Sequence, residues 1–398
     1  MALPVNGPSL PGDSSTTRKF YTLTASLREI YDDNVNTSSV NKVSSLETEL
    51  SPSVLVDFPS STGDFSARYT FDLTYYTDES SNSNNNAGNG GNGSGTNPSS
   101  GTFQYTHEFI AAYSHSFSER FSLNLSEDLR YYYEPSLYEN VGTAYNNGQY
   151  LSNVINGAIT SQWTPTFGTT TTYANTVTDY EESAVAAQQN SVENTGNQNF
   201  SFAILPKMSL GFGGIVDNIT YATANRGYST YTGYVGAQWS ILPSINIVGR
   251  GGASYDETVG SSQASVSPYA AATLTWSFGQ RSSLSLDYAH EVTPSDQIGA
   301  NGQVSDRVTS AFRYDITSSL SSHLSASLTS STVNDQLATS STDNGYSEVE
   351  YYLDTGLTYH YNRYLDLDSG VTLSGVSSNT SAYDYSRDEL YFGIRGTY

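Results

Sequence analysis

Few residues in this chain could do chemistry, and they are scattered. The five histidines, at positions 107, 115, 290, 323 and 360, form no His-x-x-x-His pair or carboxylate–histidine cluster of metal-binding spacing. Ser114-His115-Ser116 and Ser322-His323 supply two parts of a hydrolytic triad, yet serine is so abundant that adjacency carries no weight, and no acid completes a set with defined roles. Gly211-Phe-Gly-Gly214 and Gly249-Arg-Gly-Gly252 do not open a helix, as a phosphate-cradling loop must; within strands such glycines permit close packing or bending. Cysteine is absent, which removes disulfides and thiolate chemistry. The reading is of a non-enzymatic chain with no catalytic residue, no cofactor and no metal site.

What is regular is the alternation that would position such side chains. In the stretch from Arg387 to Tyr398, Leu390, Phe392, Ile394, Gly396 and Tyr398 fall on one face and Glu389, Tyr391, Gly393, Arg395 and Thr397 on the other. Period two with one apolar and one polar face predicts a half-exposed β-strand. The same pattern starts at Phe20, with Tyr21, Leu23, Ala25 and Leu27 against Thr22, Thr24, Ser26 and Arg28. It returns in a hairpin around Pro59–Asp64, where Leu55 is a misfit on the polar face. Further short turns fall near 118–120, 164–168, 206–208, 241–244, 279–281, 317–319 and 362–364. Longer polar connectors fall near 77–101, 134–149, 181–198, 222–227, 257–264, 293–303, 334–345 and 378–385. Strict alternation of tight turns and long loops is the asymmetry of a transmembrane barrel, and the hairpins add up to about eighteen antiparallel strands. The expected fold is all-β: a single up-and-down barrel over residues 20–398, with short periplasmic turns, long extracellular loops and an irregular tail at 1–19 carrying Pro4, Pro8 and Pro11.

Strand parity then assigns the charges. Arg28, Arg68, Asp72, Asp128, Arg130, Asp287, Arg307, Arg313, Glu348, Glu350, Asp354, Asp366, Asp368 and Arg395 are expected in the lumen, with Tyr132 and Tyr352. An Arg facing lipid at the midplane costs about 2–4 kcal/mol, which enforces the assignment. Such charges either pair and solvate the inner wall or set the field along a water-filled pore. Trp163, Trp239 and Trp276 all stand just before short turns, as an interfacial aromatic girdle requires, and Phe392 and Tyr398 belong to the closing strand.

Composition agrees. Hydrophobic residues are only 36% and mean hydropathy is −0.42, yet 33 Tyr and 15 Phe raise the aromatic share to 13%, which fits alternating strands better than helices or disorder. A net charge of −23 argues against nucleic acid as a partner. An acidic calcium-binding surface protein would share these features, and the acidic connectors are candidate sites for divalent cations. The stretch from Met1 to Pro8 has neither a basic segment nor an apolar core, so it does not read as a signal peptide; export is inferred.

Leu27-Arg-Glu-Ile-Tyr-Asp-Asp-Asn-Val35, above all Tyr31-Asp32-Asp33-Asn34, together with the Tyr-ended last strand, resembles a bacterial outer-membrane β-barrel porin-like family, some members of which are associated with exopolysaccharide export. The resemblance implies a channel in the outer membrane of a Gram-negative-type bacterium, surrounded by lipid and assembled by the outer-membrane barrel assembly machinery, which reads the terminal aromatic. Expected cargo is a hydrophilic solute or polysaccharide, including a neutral or weakly charged glycan. A structural or adhesive barrel whose acidic loops bind surface material is the alternative, and a soluble all-β adhesin a distant third.

Overall fold

The computed structural model describes residues 20–77, 103–132, 149–222, 226–259, 264–295, 300–333, 337, 345–380 and 384–398. The tail at 1–19 and nearly all of the connector at 77–101, either of which could enter a lumen, lie outside the described residues.

The chain forms one 18-stranded antiparallel sheet closed on itself. In order the strands are β1 (Tyr21–Asp32), β2 (Ser45–Pro59), β3 (Gly63–Tyr76), β4 (Phe103–Ser118), β5 (Phe121–Tyr132), β6 (Tyr150–Thr164), β7 (Phe167–Tyr180), β8 (Ser191–Leu205), β9 (Met208–Tyr221), β10 (Gly227–Leu242), β11 (Ile245–Thr258), β12 (Ala264–Phe278), β13 (Ser282–Thr293), β14 (Gln303–Asp315), β15 (Leu320–Thr332), β16 (Ser347–Asn362), β17 (Leu365–Ser378) and β18 (Tyr385–Thr397). One short helix, α1 (Ser183–Gln189), lies between β7 and β8. Each strand pairs with its neighbours in sequence, and β1 pairs with both β2 and β18. Closure leaves no edge, the condition for a sheet to exist where no water can satisfy its backbone.

The register carries a single parity round the ring. Arg28 opposes Glu49, Glu49 opposes Thr74, and Thr74 opposes Gln104. The succession returns through Asp368 and Gly393 to Arg28 on the same face. The other face carries Leu23, Leu27, Leu50, Leu125, Phe392 and Ile394, all exposed to the surroundings as a lipid-facing belt requires. Leu55 opposes Arg68 on the inner face, which accounts for its misfit.

Short turns and long connectors alternate as the sequence predicts. At Gly279 the turn into β13 takes a positive φ of 69°, and β-bulges interrupt the pairing beside several short turns, as at Ser116/Ser118 and Gln162/Thr164. The same end of the barrel carries outward-facing aromatic stacks, Phe20–Phe58–Phe65 and Phe278–Phe312 among them. One boundary differs from expectation. The connector read as 181–198 ends at 190, because Ser191–Gln198 is the first half of β8. That half is polar on both faces, with Glu193, Thr195 and Asn197 inward and Asn194, Gly196 and Gln198 outward, so no alternation marks it as strand.

Candidate functional site: the inner wall

The inner wall is built from cross-strand pairs, because parity sends every second side chain inward and register decides which of them meet. On the arc from β16 through the seam to β1, Arg395 donates to Asp366 at 2.8 Å, and Asp366 also pairs with His360 at 2.7 Å. Arg28 donates to Asp368 at 3.0 Å, and its guanidinium lies 5.1 Å from the centre of the Tyr391 ring. His323 stands 3.0 Å from Asp354, to which the Tyr391 hydroxyl also donates. Further round, Arg68 and Arg130 share Glu108, and Arg130 also binds Asp128 at 2.5 Å. In these pairs acids and bases alternate, so the field is neutralised locally.

Elsewhere the wall is polar, and its acids are met by hydroxyls. Asp287 accepts from Thr273 and Ser285; Thr232 and Ser254 bond each other at 2.7 Å, as do Thr293 and Ser305. Tyrosine rings lie flat where the facing residue is glycine: a Cβ at Gly213 would collide with Tyr234, and one at Gly370 with Tyr391. Close packing is thus the use of the Gly211–Gly214 stretch, as expected of glycine in a strand. A cavity of about 460 Å³ opens on the charged arc, with Arg28, His323, Asp354, His360, Tyr391 and Arg395 among its lining residues.

The extracellular end is narrowed by its own connectors. Inward-facing Ile219, Tyr221 and Tyr228 pack with Ala300, Val333, Leu337 and Tyr346 into a small apolar core, and Gly302 lies against the Tyr228 ring. The described residues of the connectors before β14 and β16 therefore pack against the inner wall. Arg226 fastens the first of them to α1. Its guanidinium donates to the carbonyls of Ala300 and Ser295 at 2.7 Å each, and to Gln188 O and Gln189 Oε1 at the end of α1, while lying 3.9 Å from the Tyr221 ring centre. Asn301 continues the clasp, accepting from Gly227 N and donating to Leu337 O.

With this geometry in place, comparison with known proteins is informative. Residues 261–398 match the family described as Putative beta-barrel porin 2. Over those residues the chain is similar to this family. No curated protein matches it. Solved structures similar to it include a BenF-like porin from Pseudomonas fluorescens Pf-5, at 12% identity over 95% of this chain and 99% of that one, with a TM-score of 0.47. OpdK of Pseudomonas aeruginosa with vanillate is 10% identical over 95% and 99% of the two chains, TM-score 0.46. OccAB2 of Acinetobacter baumannii is 12% identical over 95% and 98%, TM-score 0.44.

In this 18-stranded barrel the residues selected by parity all fall on one face. Arg28, Arg68, Asp128, Arg130, Asp354, Asp366, Asp368 and Arg395 meet in the pairs just described. Asp72 accepts from Thr106, and Glu348 from Tyr346. Tyr132 lies beneath Arg130; Glu350 is buried opposite Thr329, and Tyr352 opposes Ser327. Arg307 opposes Ala289, and Arg313 faces Ser283 and His323. Trp163, Trp239 and Trp276 are outward and exposed at the short-turn end, with Phe392 outward on β18 and Tyr398 exposed just beyond it. Sequence reasoning missed the partners: Glu108, His323 and His360 complete the ladder, and the absence of carboxylate–histidine spacing along the chain concealed the pairs formed across strands. It also missed Arg226, which stands in a connector without period. Among the described residues no three His, Asp or Glu converge on a metal-holding cluster; of the acidic connector residues, Glu79, Glu134, Glu139 and Asp343 lie outside them.

Proposed function

We propose that the barrel is a channel for hydrophilic solutes of neutral or weakly charged character. The observation carrying this reading is the inner wall itself: ion pairs neutralised in place, interleaved with hydroxyls, amides and tyrosine rings that can bond and stack on a polar solute. A wall selecting a polyanion or a cation would present rings of one sign. Export of an exopolysaccharide is the narrower form of this proposal and has no support from the comparisons. A glycan chain would also have to thread the mouth that Arg226 and its connectors narrow, which favours small solutes.

The test is single-channel recording in planar bilayers with neutral solutes of graded size added to one side. Stepwise conductance reduced by oligosaccharides up to a size limit is the expected result. Silent bilayers containing folded protein would overturn the channel and move the weight to a structural or adhesive barrel.

A further inference from the structure

The outward face is not uniform. Most strands present Leu, Phe or Val to the lipid at mid-depth, but β7 presents Thr169, Thr171, Tyr173 and Asn175 between Phe167 and Val177. Opposite them, β8 presents Gln198, Gly196 and Asn194. These side chains bond one another along the outside of the barrel: Thr171 Oγ1 donates to Gln198 Oε1 at 2.6 Å, Tyr173 Oη to Asn194 Oδ1 at 2.7 Å, and Asn175 Nδ2 to the same oxygen at 2.9 Å. Asn194 Oδ1 is used twice as acceptor, and among the described residues its own amide hydrogens have no bond. Hydrocarbon offers polar groups nothing, so a lane of amides and hydroxyls at this depth calls for a partner within the membrane.

A second, independent feature adjoins it. Beyond Leu210, Phe212 and Val216 on β9, small residues run across the outward surface at mid-depth, Gly233 on β10, Gly249 and Gly251 on β11, and Ala270 and Ala272 on β12, with Val235 standing among them. A Cβ added at Gly196, Gly233, Gly249 or Gly251 would meet nothing within 4 Å. Small residues make a smooth wall that another backbone can approach closely, the usual means of packing protein against protein in a bilayer.

We propose that the face formed by β7–β8, with the small-residue wall of β10–β12 beyond β9, is an interface between two copies of this chain. Its lane carries no formal charge between Phe167 and Val177, and Asn, Gln, Thr and Tyr all both donate and accept. The same patch on a twofold-related copy is therefore complementary to it. A water-soluble partner cannot reach this depth, and among membrane proteins a second copy is always present in matching amount.

The chain has no cysteine, so single thiols report cleanly. Thr171→Cys should give a disulfide-linked species of twice the chain mass when native outer membranes are oxidised with copper phenanthroline; Leu357→Cys, outward on β16 across the barrel, should not. Native mass spectrometry of detergent-extracted wild type should give the dimer mass. The double variant Asn175→Leu, Gln198→Leu should fall to the monomer mass while keeping the heat-modifiable migration of a folded barrel. Monomeric wild type, equal cross-linking at both thiols, or an adduct of Thr171→Cys with a chain of another mass would each overturn the proposal, the last assigning the face to a different protein.

Discussion

Arg226 is the residue on which the extracellular mouth depends. It is buried, and it joins its own connector to two others through their carbonyl oxygens. Truncating it leaves the buried Ala300 carbonyl short of a donor at about 1–3 kcal/mol, while Ser295 O keeps the Tyr221 hydroxyl. We expect Arg226→Ala to keep the barrel intact but raise unit conductance and open-channel noise, with Arg226→Lys intermediate because an ammonium cannot span the same set of oxygens. Unchanged single-channel traces would mean the connectors are held by their apolar core alone. Parity is tested at the same scale. Leu50 faces outward in mid-strand and Ser51 inward beside Glu49. Leu50→Arg should lose about 2–4 kcal/mol of stability in a bilayer, whereas Ser51→Arg should lose little. Equal shifts in denaturant midpoint in vesicles would mean that the faces are misassigned.

Among the elements, β1 and β18 are joined by more than backbone. Arg387 on β18 binds Asp32 on β1 at 2.6 Å, and Asp32 is wholly buried. Arg387→Ala strands that carboxylate and should cost about 3–5 kcal/mol, read as a lowered temperature for loss of the fast-migrating folded form on gels. Which elements exist was largely legible beforehand, because a strand between lipid and water must alternate and its turns must break the alternation. Leu23-Thr24-Ala25-Ser26-Leu27 could be read directly. Where the outward face is not apolar the rule lapses: Ser191–Gln198 reads as a loop because its outward side chains are as polar as its inward ones. The lumen charges were likewise legible as a face, not as pairs. That Glu108 serves two arginines, or that His360 shares Asp366 with Arg395, depends on register between strands, which no single strand encodes.

For the whole molecule the consequence of the inner wall is selectivity. Arginines are spread among an excess of acids, including Glu348, Glu350 and Asp354 on β16 and Asp366 and Asp368 on β17. Reversal potentials in a salt gradient should show mild cation preference, stronger at low ionic strength where the Debye length grows from about 8 Å to about 30 Å. Clear anion preference would contradict the wall as described.

The closure of the ring also sets an order in time. Arg28 and Asp368 are 340 residues apart, and bringing such distant segments together costs about 3 kcal/mol more loop entropy than closing a connector of a dozen residues. Hairpins can form as they are made, but β1 must wait with one bare edge until all the others are in place. That edge is a template for any passing strand, so a stalled barrel is prone to join its neighbour rather than itself. The junction made last should be the first to part. In hydrogen exchange on the folded barrel, amides bridging β1 and β18, such as Leu23 N to Tyr398 O, should exchange sooner than those between β16 and β17. Such a barrel would breathe along one line of its wall, as a rolled sheet does along its overlap.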